Sequence, residues 1–354
     1  MKNWKLLLRQ GRGIVIAIVL FALFYGLYSA LHPRGFSGSL FGQNANESFV
    51  LVMAAMAQTV PVLTGGLDLA VGSVITLVDC VASRVLGGSP GAIGLGILVC
   101  LFTGTLCGFA NGCLVVYGRL QPIIATLASG TIFLGIALFL RPTPGGEVNG
   151  DLASAMTFDI DELLSQLHAG PMPGFLSFIG KVPMPLLLTI GMAFLWRYYK
   201  ATKLGLGTYA IGASEEAAYM SGVRIKTVKL AAYSLAGFYS GVGGLYLALQ
   251  TSSGNADIPQ AGAYTLNSIA SVVIGGTSLY GGVGGAVGSI FGALVLRSLA
   301  FDFRVFDEGS KLAFLSNPLY QPLFEGLILL VAVCAGALWV LRAKNRLHVY
   351  GRTG

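Results

Sequence analysis

Charge is scarce in this chain. Lys, Arg, Asp and Glu make up 10% of its 354 residues, whereas a soluble domain carries roughly 25%. With 55% of the residues hydrophobic, no water-soluble fold could hide the apolar surface. The five cysteines (Cys80, Cys100, Cys107, Cys113, Cys334) sit inside apolar runs, form no Cys-x-x-Cys and have no histidine at ligand spacing. They read as small packing residues, so no metal site is assigned. Histidine is rare too: His32, His168 and His348 lie in three separate segments, and the nucleophile, base or metal cluster of a membrane-embedded enzyme is missing. No catalytic residue is assigned. The chain has no Gly-x-x-x-x-Gly-Lys-[Ser/Thr] loop to cradle the phosphates of ATP. Its net charge of +7 gathers at the ends and in one internal loop, which reports membrane orientation and argues against nucleic acid as a partner. Gly205-Leu-Gly207-Thr-Tyr-Ala210 superficially matches a dinucleotide fingerprint, but it follows Lys200 and Lys203 rather than a strand and is set aside.

What is present is a succession of apolar runs. Gly13 to Leu31 is 19 residues without a charge, longer than the roughly 7–15 residues of a signal-peptide core, and reads as an uncleaved first span. With about 20 apolar residues needed for each crossing, spans are expected near 13–31, 48–65, 70–88, 91–117, 122–140, 184–199, 229–250, 262–279, 283–301 and 320–341, ten in all. Lys2, Lys5, Arg9 and Arg12 precede the first, and Arg342, Lys344, Arg346 and Arg352 follow the last, with no acid among either set. Positive charge stays inside, so both termini are expected in the cytoplasm, which requires an even number of spans. Arg197 to Lys229 holds six basic residues against Glu215 and Glu216 and falls inside; Arg141 to Lys181 holds five acids against two bases and falls outside. Charge and parity agree independently. A short helix is expected from Asp159 to His168 within the outer loop.

Two of the runs are broken alike. Val62 to Ile75 contains Thr64-Gly65-Gly66-Leu-Asp68-Leu-Ala-Val-Gly-Ser73, and Val272 to Ile290 contains Gly275-Gly276-Thr277-Ser278 followed by a second Ala-Val-Gly-Ser. Matched breaks in the two halves of a membrane protein point to a transporter's binding site, since unwound backbone at membrane depth survives where it lines a cavity. Asp68 lies in the first break, where a carboxylate costs about 2.5–3.5 kcal/mol at a helix centre. It is stabilised by N–H groups freed at Gly65 and Gly66, by a partner such as Arg84, or by a water-filled path. It either serves transport or caps the helix after Ala70. Asp79 and Glu325 are further charged path candidates. Thr64, Ser73, Asn111, Gln121, Thr126, Asn267, Thr277 and Ser278 supply the many weak hydrogen-bonding groups that a path for a neutral polyol needs, or they act as packing glue between helices. Gly104, Gly108 and Gly112, and Gly284, Gly288 and Gly292, recur every fourth position and suit close helix packing within the chain or a seam between two copies.

In the inner loop, Ser214-Glu215-Glu216-Ala217-Ala218-Tyr219-Met220-Ser221-Gly222 combines a capping serine, acids in the first turn and a terminating glycine. It predicts a two-turn helix, too short to be stable alone and therefore leaning on the membrane domain or on another protein.

Together with that helix, Thr64 to Ser73 and Ser271-Val-Val-Ile-Gly-Gly-Thr-Ser-Leu-Tyr-Gly-Gly282 resemble the ribose and simple-sugar permeases of bacterial ABC importers, over about Glu47 to Val340. The resemblance implies an all-α integral membrane protein of about ten transmembrane helices with two glycine-broken segments and both termini cytoplasmic. It implies a single transmembrane permease domain over residues 1–354, with a periplasmic loop insertion at 142–183 and a cytoplasmic coupling loop at 200–228. The implied location is the bacterial inner membrane, with lipid around a multi-pass chain. Implied partners are an ABC ATPase subunit, which uses ATP and magnesium while this chain binds no cofactor, a periplasmic sugar-binding protein, and a second permease copy, identical or paralogous. Ser214, Glu215, Glu216, Ala217, Ala218, Ser221 and Gly222 would dock on the ATPase. Thr64, Gly65, Gly66, Asp68, Ser73, Asn111, Thr126, Asn267, Gly275, Gly276, Thr277 and Ser278 would shape the path. Tyr264-Thr-Leu-Asn267-Ser-Ile-Ala-Ser271 departs from relatives, which carry an acid in place of Asn267, so the particular sugar stays unassigned. The alternative is an ion-coupled secondary transporter of a small polar solute, with Asp68, Asp79 or Glu325 titrating.

Overall fold

The computed structural model describes residues 12–33, 35–167 and 177–305, with Gly174, Leu323, Gly326, Leu327 and Leu330 as isolated positions. Over these residues the chain forms α1 (Arg12–Leu31), α2 (Gly38–Leu63), α3 (Val71–Val85), α4 (Pro90–Val116), α5 (Pro122–Leu140), α6 (Gly150–Thr157), α7 (Ile160–Gln166), α8 (Ser177–Gly180), α9 (Met184–Ala201), α10 (Lys203–Ala213), α11 (Glu215–Met220), α12 (Ile225–Thr251), α13 (Ile258–Ile274) and α14 (Ala286–Val305). β-Pairing among the described residues amounts to two isolated bridges, Gly145 with Gly254 and Asp159 with Pro183.

Five helices, α1, α2, α4, α5 and α14, are long and apolar enough to cross a membrane. The runs expected at 70–88, 184–199, 229–250 and 262–279 are also helical, as α3, α9, α12 and α13. Of these, α3 and α13 have 15 and 17 residues, short of the about 20 of a full crossing, because a glycine break adjoins each. The run at 320–341, with Glu325 and Cys334, lies outside the described residues apart from the isolated positions, as do the two basic tails up to Gln10 and from Arg342 on.

Helix α2 starts at Gly38 rather than near 48. The Ser37 hydroxyl accepts the Leu40 N–H at 3.3 Å and caps it. Its polar first half disguised it as loop, yet those side chains have partners inside the bundle. Tyr246 Oη donates to Asn46 Oδ1 at 2.6 Å, and Arg304 pairs with Glu47 at 3.0 Å.

The long helices run alternately up and down. At one end, α10 and α11 meet the starts of α5, α12 and α14, the ends of α2 and α4, and the closing residues of the break after α13. At the other end sits the acidic loop. Gly145 and Gly254 exchange backbone hydrogen bonds at 3.0 and 2.9 Å, Arg141 Nε donates to Ser83 Oγ at 2.9 Å, and Asp79 Oδ2 accepts the Asn255 N–H at 2.8 Å. The basic and acidic loops therefore occupy opposite ends, as the charge pattern requires. The expected helix after Asp159 is α7, with Asp159 Oδ1 accepting the Glu162 N–H at 3.2 Å.

Helix α2 is the axis of the core: every residue from Ser48 to Thr64 is buried, against α3, α9, α12 and α14. A central helix touches protein on all sides and need not alternate apolar with polar. Helices α4 and α5 lie outside, with Phe102 and Phe139 exposed. The glycine rows serve contacts within the chain. A side chain at Gly104 would meet Gly241 Cα of α12 at 2.6 Å, and one at Gly108 would meet Gly237 Cα at 2.8 Å. Gly288 and Gly292 pack on Gly275 and Ser271. Gly284 is not part of that helical row, since it lies before α14 with φ 121°.

Candidate functional site

The two breaks share one backbone geometry. In the first, Gly65 N–H reaches Val62 O at 2.9 Å and Gly66 N–H reaches Pro61 O at 3.0 Å; in the second, Gly276 N–H reaches Val273 O at 2.9 Å and Thr277 N–H reaches Val272 O at 3.0 Å. These paired bonds are the Schellman ending of a helix, which demands a left-handed residue, and Gly65 and Gly276 both have φ 80°. Each glycine stops one helix so that Ala-Val-Gly-Ser can start the next. The breaks lie side by side, joined by a hydrogen bond from Gly282 N–H to Leu63 O at 3.0 Å.

Around the first break the path candidates form a buried network. Asp68 Oδ1 accepts the Ala70 N–H at 2.9 Å and faces Asn111 Nδ2 at 3.4 Å. Ser129 Oγ donates to Asn111 Oδ1, and Thr126 Oγ1 accepts the Leu69 N–H at 2.8 Å while donating to the Pro122 carbonyl at 2.9 Å. The break is thus clamped to α4 and α5. Two of the three expected stabilisers of Asp68 are corrected. The Gly65 and Gly66 N–H groups are consumed by the Schellman bonds, and Arg84 sits at the far end of α3, donating to Leu140 O. Asp68 caps the turn just before α3 rather than α3 itself, whose N-cap is Ala70. Ser73 is buried beside Gly130.

In the second break Thr277 Oγ1 accepts the Gly285 N–H at 3.1 Å and Ser278 Oγ accepts the Tyr280 N–H at 3.2 Å. Asn267 stands apart, two turns up α13 and partly exposed. The breaks are largely packed: Thr64, Gly66, Asp68, Gly275 and Thr277 are buried, Gly276 and Ser278 half-buried and Gly65 exposed. Neither a cavity of about 320 Å³ between α1, α2, α9 and α14 nor one of about 1070 Å³ beside α11 is lined by them. Sequence reasoning missed Ser129, and also Tyr233, whose buried hydroxyl lies over Gly66 without a hydrogen-bond partner.

The predicted two-turn helix is α11. The Ser214 hydroxyl accepts the Ala217 N–H at 3.3 Å, and Gly222, with φ 81°, ends it in a third Schellman pair, Gly222 N–H to Tyr219 O at 2.9 Å and Val223 N–H to Ala218 O at 3.0 Å. Ser214, Glu215, Glu216, Ala217, Ser221 and Gly222 are exposed. Ala218 is not: it is buried against Ile211 and Val228 and roots the helix in the bundle. Tyr219 and Met220, absent from the expected docking set, are 70% and 84% exposed. Lys229 Nζ binds both Glu215 oxygens at 2.9 and 2.7 Å. The adjoining cavity is lined by Arg119, Arg224 and Lys226 beside Glu215 and Glu216.

A family model described as branched-chain amino acid transport system / permease component matches residues 40–337. The chain belongs to this permease family. It is a transporter component and not an enzyme. The permease is 31% identical over 328 residues to the ribose import permease protein RbsC of Haemophilus influenzae, covering 92% of each chain. It is 35% identical over 283 residues to RbsC of Bacillus subtilis, covering 79% of each. To the autoinducer 2 import system permease protein LsrD of Escherichia coli it is 27% identical over 310 residues, covering 86% of each. No solved structure matches it.

Proposed function

We propose that the permease is the translocation subunit of an ATP-binding cassette importer for a small neutral sugar of the ribose or xylose class. Its ATP-hydrolysing partner would dock on α11, a periplasmic binding protein would deliver the sugar, and a second permease copy would complete the path. In this reading ten spans cross a bacterial inner membrane with both termini in the cytoplasm, the 200–228 loop faces the ATPase, and the 142–183 loop faces the binding protein.

The observation that carries the reading is α11. A two-turn helix capped at both ends, rooted through Ala218 and showing Glu216, Tyr219 and Met220 to solvent is a docking knob, and aromatic anchors are what buried interface centres favour. Two further facts support the sugar class. The matched relatives are named for ribose and for autoinducer 2, and the polar groups around the first break are mostly neutral. The family description names branched-chain amino acids, whose zwitterionic ends would call for charged groups on the path.

Uptake of labelled D-ribose and D-xylose is the test, in vesicles holding the permease, its ATPase and the binding protein. ATP-dependent accumulation is expected. Uptake that persists without ATP and collapses with an uncoupler overturns the reading in favour of an ion-coupled transporter.

A further inference from the structure

Helix α10 reaches from the docking helix to both glycine breaks. Ser214 is at once its last cap and the first cap of α11, so no linker separates them. Two contacts three residues apart, hence on one face, tie α10 to the breaks. Tyr209 Oη donates to the Gly284 carbonyl of the second break at 2.8 Å. Gly212 lies where any side chain would run into the Leu63 carbonyl and the Gly282 N–H, the two groups whose hydrogen bond joins the breaks. Gly281 completes the joint: a side chain there would meet both Gly212 Cα and Gly65 N at 2.8 Å. Burial pushes the Tyr209 phenol up to about 12, so it remains a donor at any physiological pH.

Backbone held against backbone leaves no side chain to yield, and packed interiors have low compressibility. A displacement of α11 therefore moves α10, and through it the end of α2 and the closing residues of the second break, just before α14. We infer that α10 is the strut through which a load on α11 reaches both breaks at once, with Tyr209 and Gly212 as its positioning residues. This rests on the reading of α11 as the ATPase-docking helix.

Hydrogen exchange on the complex of the permease with its ATPase tests it, comparing the nucleotide-free state with the state trapped by magnesium, ATP and vanadate. In the native complex, exchange is expected to change with nucleotide at residues 214–223 and at 277–285. In Tyr209→Phe, which removes one hydroxyl and leaves the Gly212 joint in place, the change at 214–223 persists and that at 277–285 shrinks; Gly212→Ala, which forces the joined backbones apart, shrinks it as well. A merely structural joint would raise exchange at 277–285 equally in both states and leave the nucleotide-dependent difference intact. That outcome overturns the inference, as does a native complex with no change at 277–285. Should Gly212→Ala fail to assemble, Tyr209→Phe alone decides. Failure of the native chain to bind the ATPase would remove the docking reading itself, and the strut with it.

Discussion

Glu215 and Lys229 are bound to each other through both carboxylate oxygens, which leaves the neighbouring Glu216 as the acid that α11 offers outward. The pair is half open to solvent, and such surface bridges contribute about 0–1 kcal/mol. Glu215→Gln should therefore lower the melting temperature of the purified permease only slightly. Glu216→Lys should abolish co-purification with the ATPase while the protein still inserts in the membrane. Normal co-purification of that variant would remove Glu216 from the docking face.

Asp68 and Asn111 test the clamp on the first break. Asp68→Asn keeps an oxygen for the Ala70 N–H and removes the charge, so transport should fall while assembly with the ATPase is retained; undiminished uptake would reduce Asp68 to a turn cap. Asn111→Ala removes the side-chain donor to Asp68 and leaves the Ser129 hydroxyl with the Thr126 carbonyl at 3.2 Å, and leaving a buried polar group unpaired costs about 1–3 kcal/mol. A loss of thermal stability is expected, measured on the protein in detergent.

The crossing of α4 and α12 admits no side chain. Gly108→Leu should destabilise the fold by at least the about 1–3 kcal/mol of overpacking, whereas Gly135→Ala, mid-helix with open space around it, should leave melting unchanged or raise it slightly. An unaltered melting curve for Gly108→Leu, accompanied by loss of a dimer, would move the glycine row from the core to an interface between copies.

Met220 and Phe158 occupy opposite ends of the bundle and are 84% and 62% exposed. Single cysteines at these positions, in a chain with Cys113 and Cys334 replaced by serine, should react with a membrane-impermeant maleimide from opposite faces of the membrane. Labelling of both from the same face would refute the threading.

Much of this was legible in the sequence because it is written locally. Periodic apolar runs located nine helices, and the glycines at 65, 222 and 276 announced three helix endings, since each must supply a left-handed residue. The start of α2 was hidden because Asn46 and Glu47 look like loop residues until Tyr246 and Arg304, some two hundred residues away, are seen to satisfy them. Asp68 was legible as a problem and not as a solution, because its partner Asn111 and that residue's partner Ser129 lie on other helices. The stretch from Gly205 to Ala210 shows the same limit. Its glycines do not cradle a nucleotide; Gly205 fits under the Tyr199 carbonyl and Gly207 against Val228, and the spacing that imitates a fingerprint belongs to a helix carrying Tyr209 to the second break. Contacts between distant segments leave no period behind.

The first residues of the acidic loop are stitched down, through Arg141 to Ser83 in the last turn of α3 and through Gly145 to Gly254 just past the end of α12. A load on that stretch would bear on two helices whose opposite ends frame the first break and root α11.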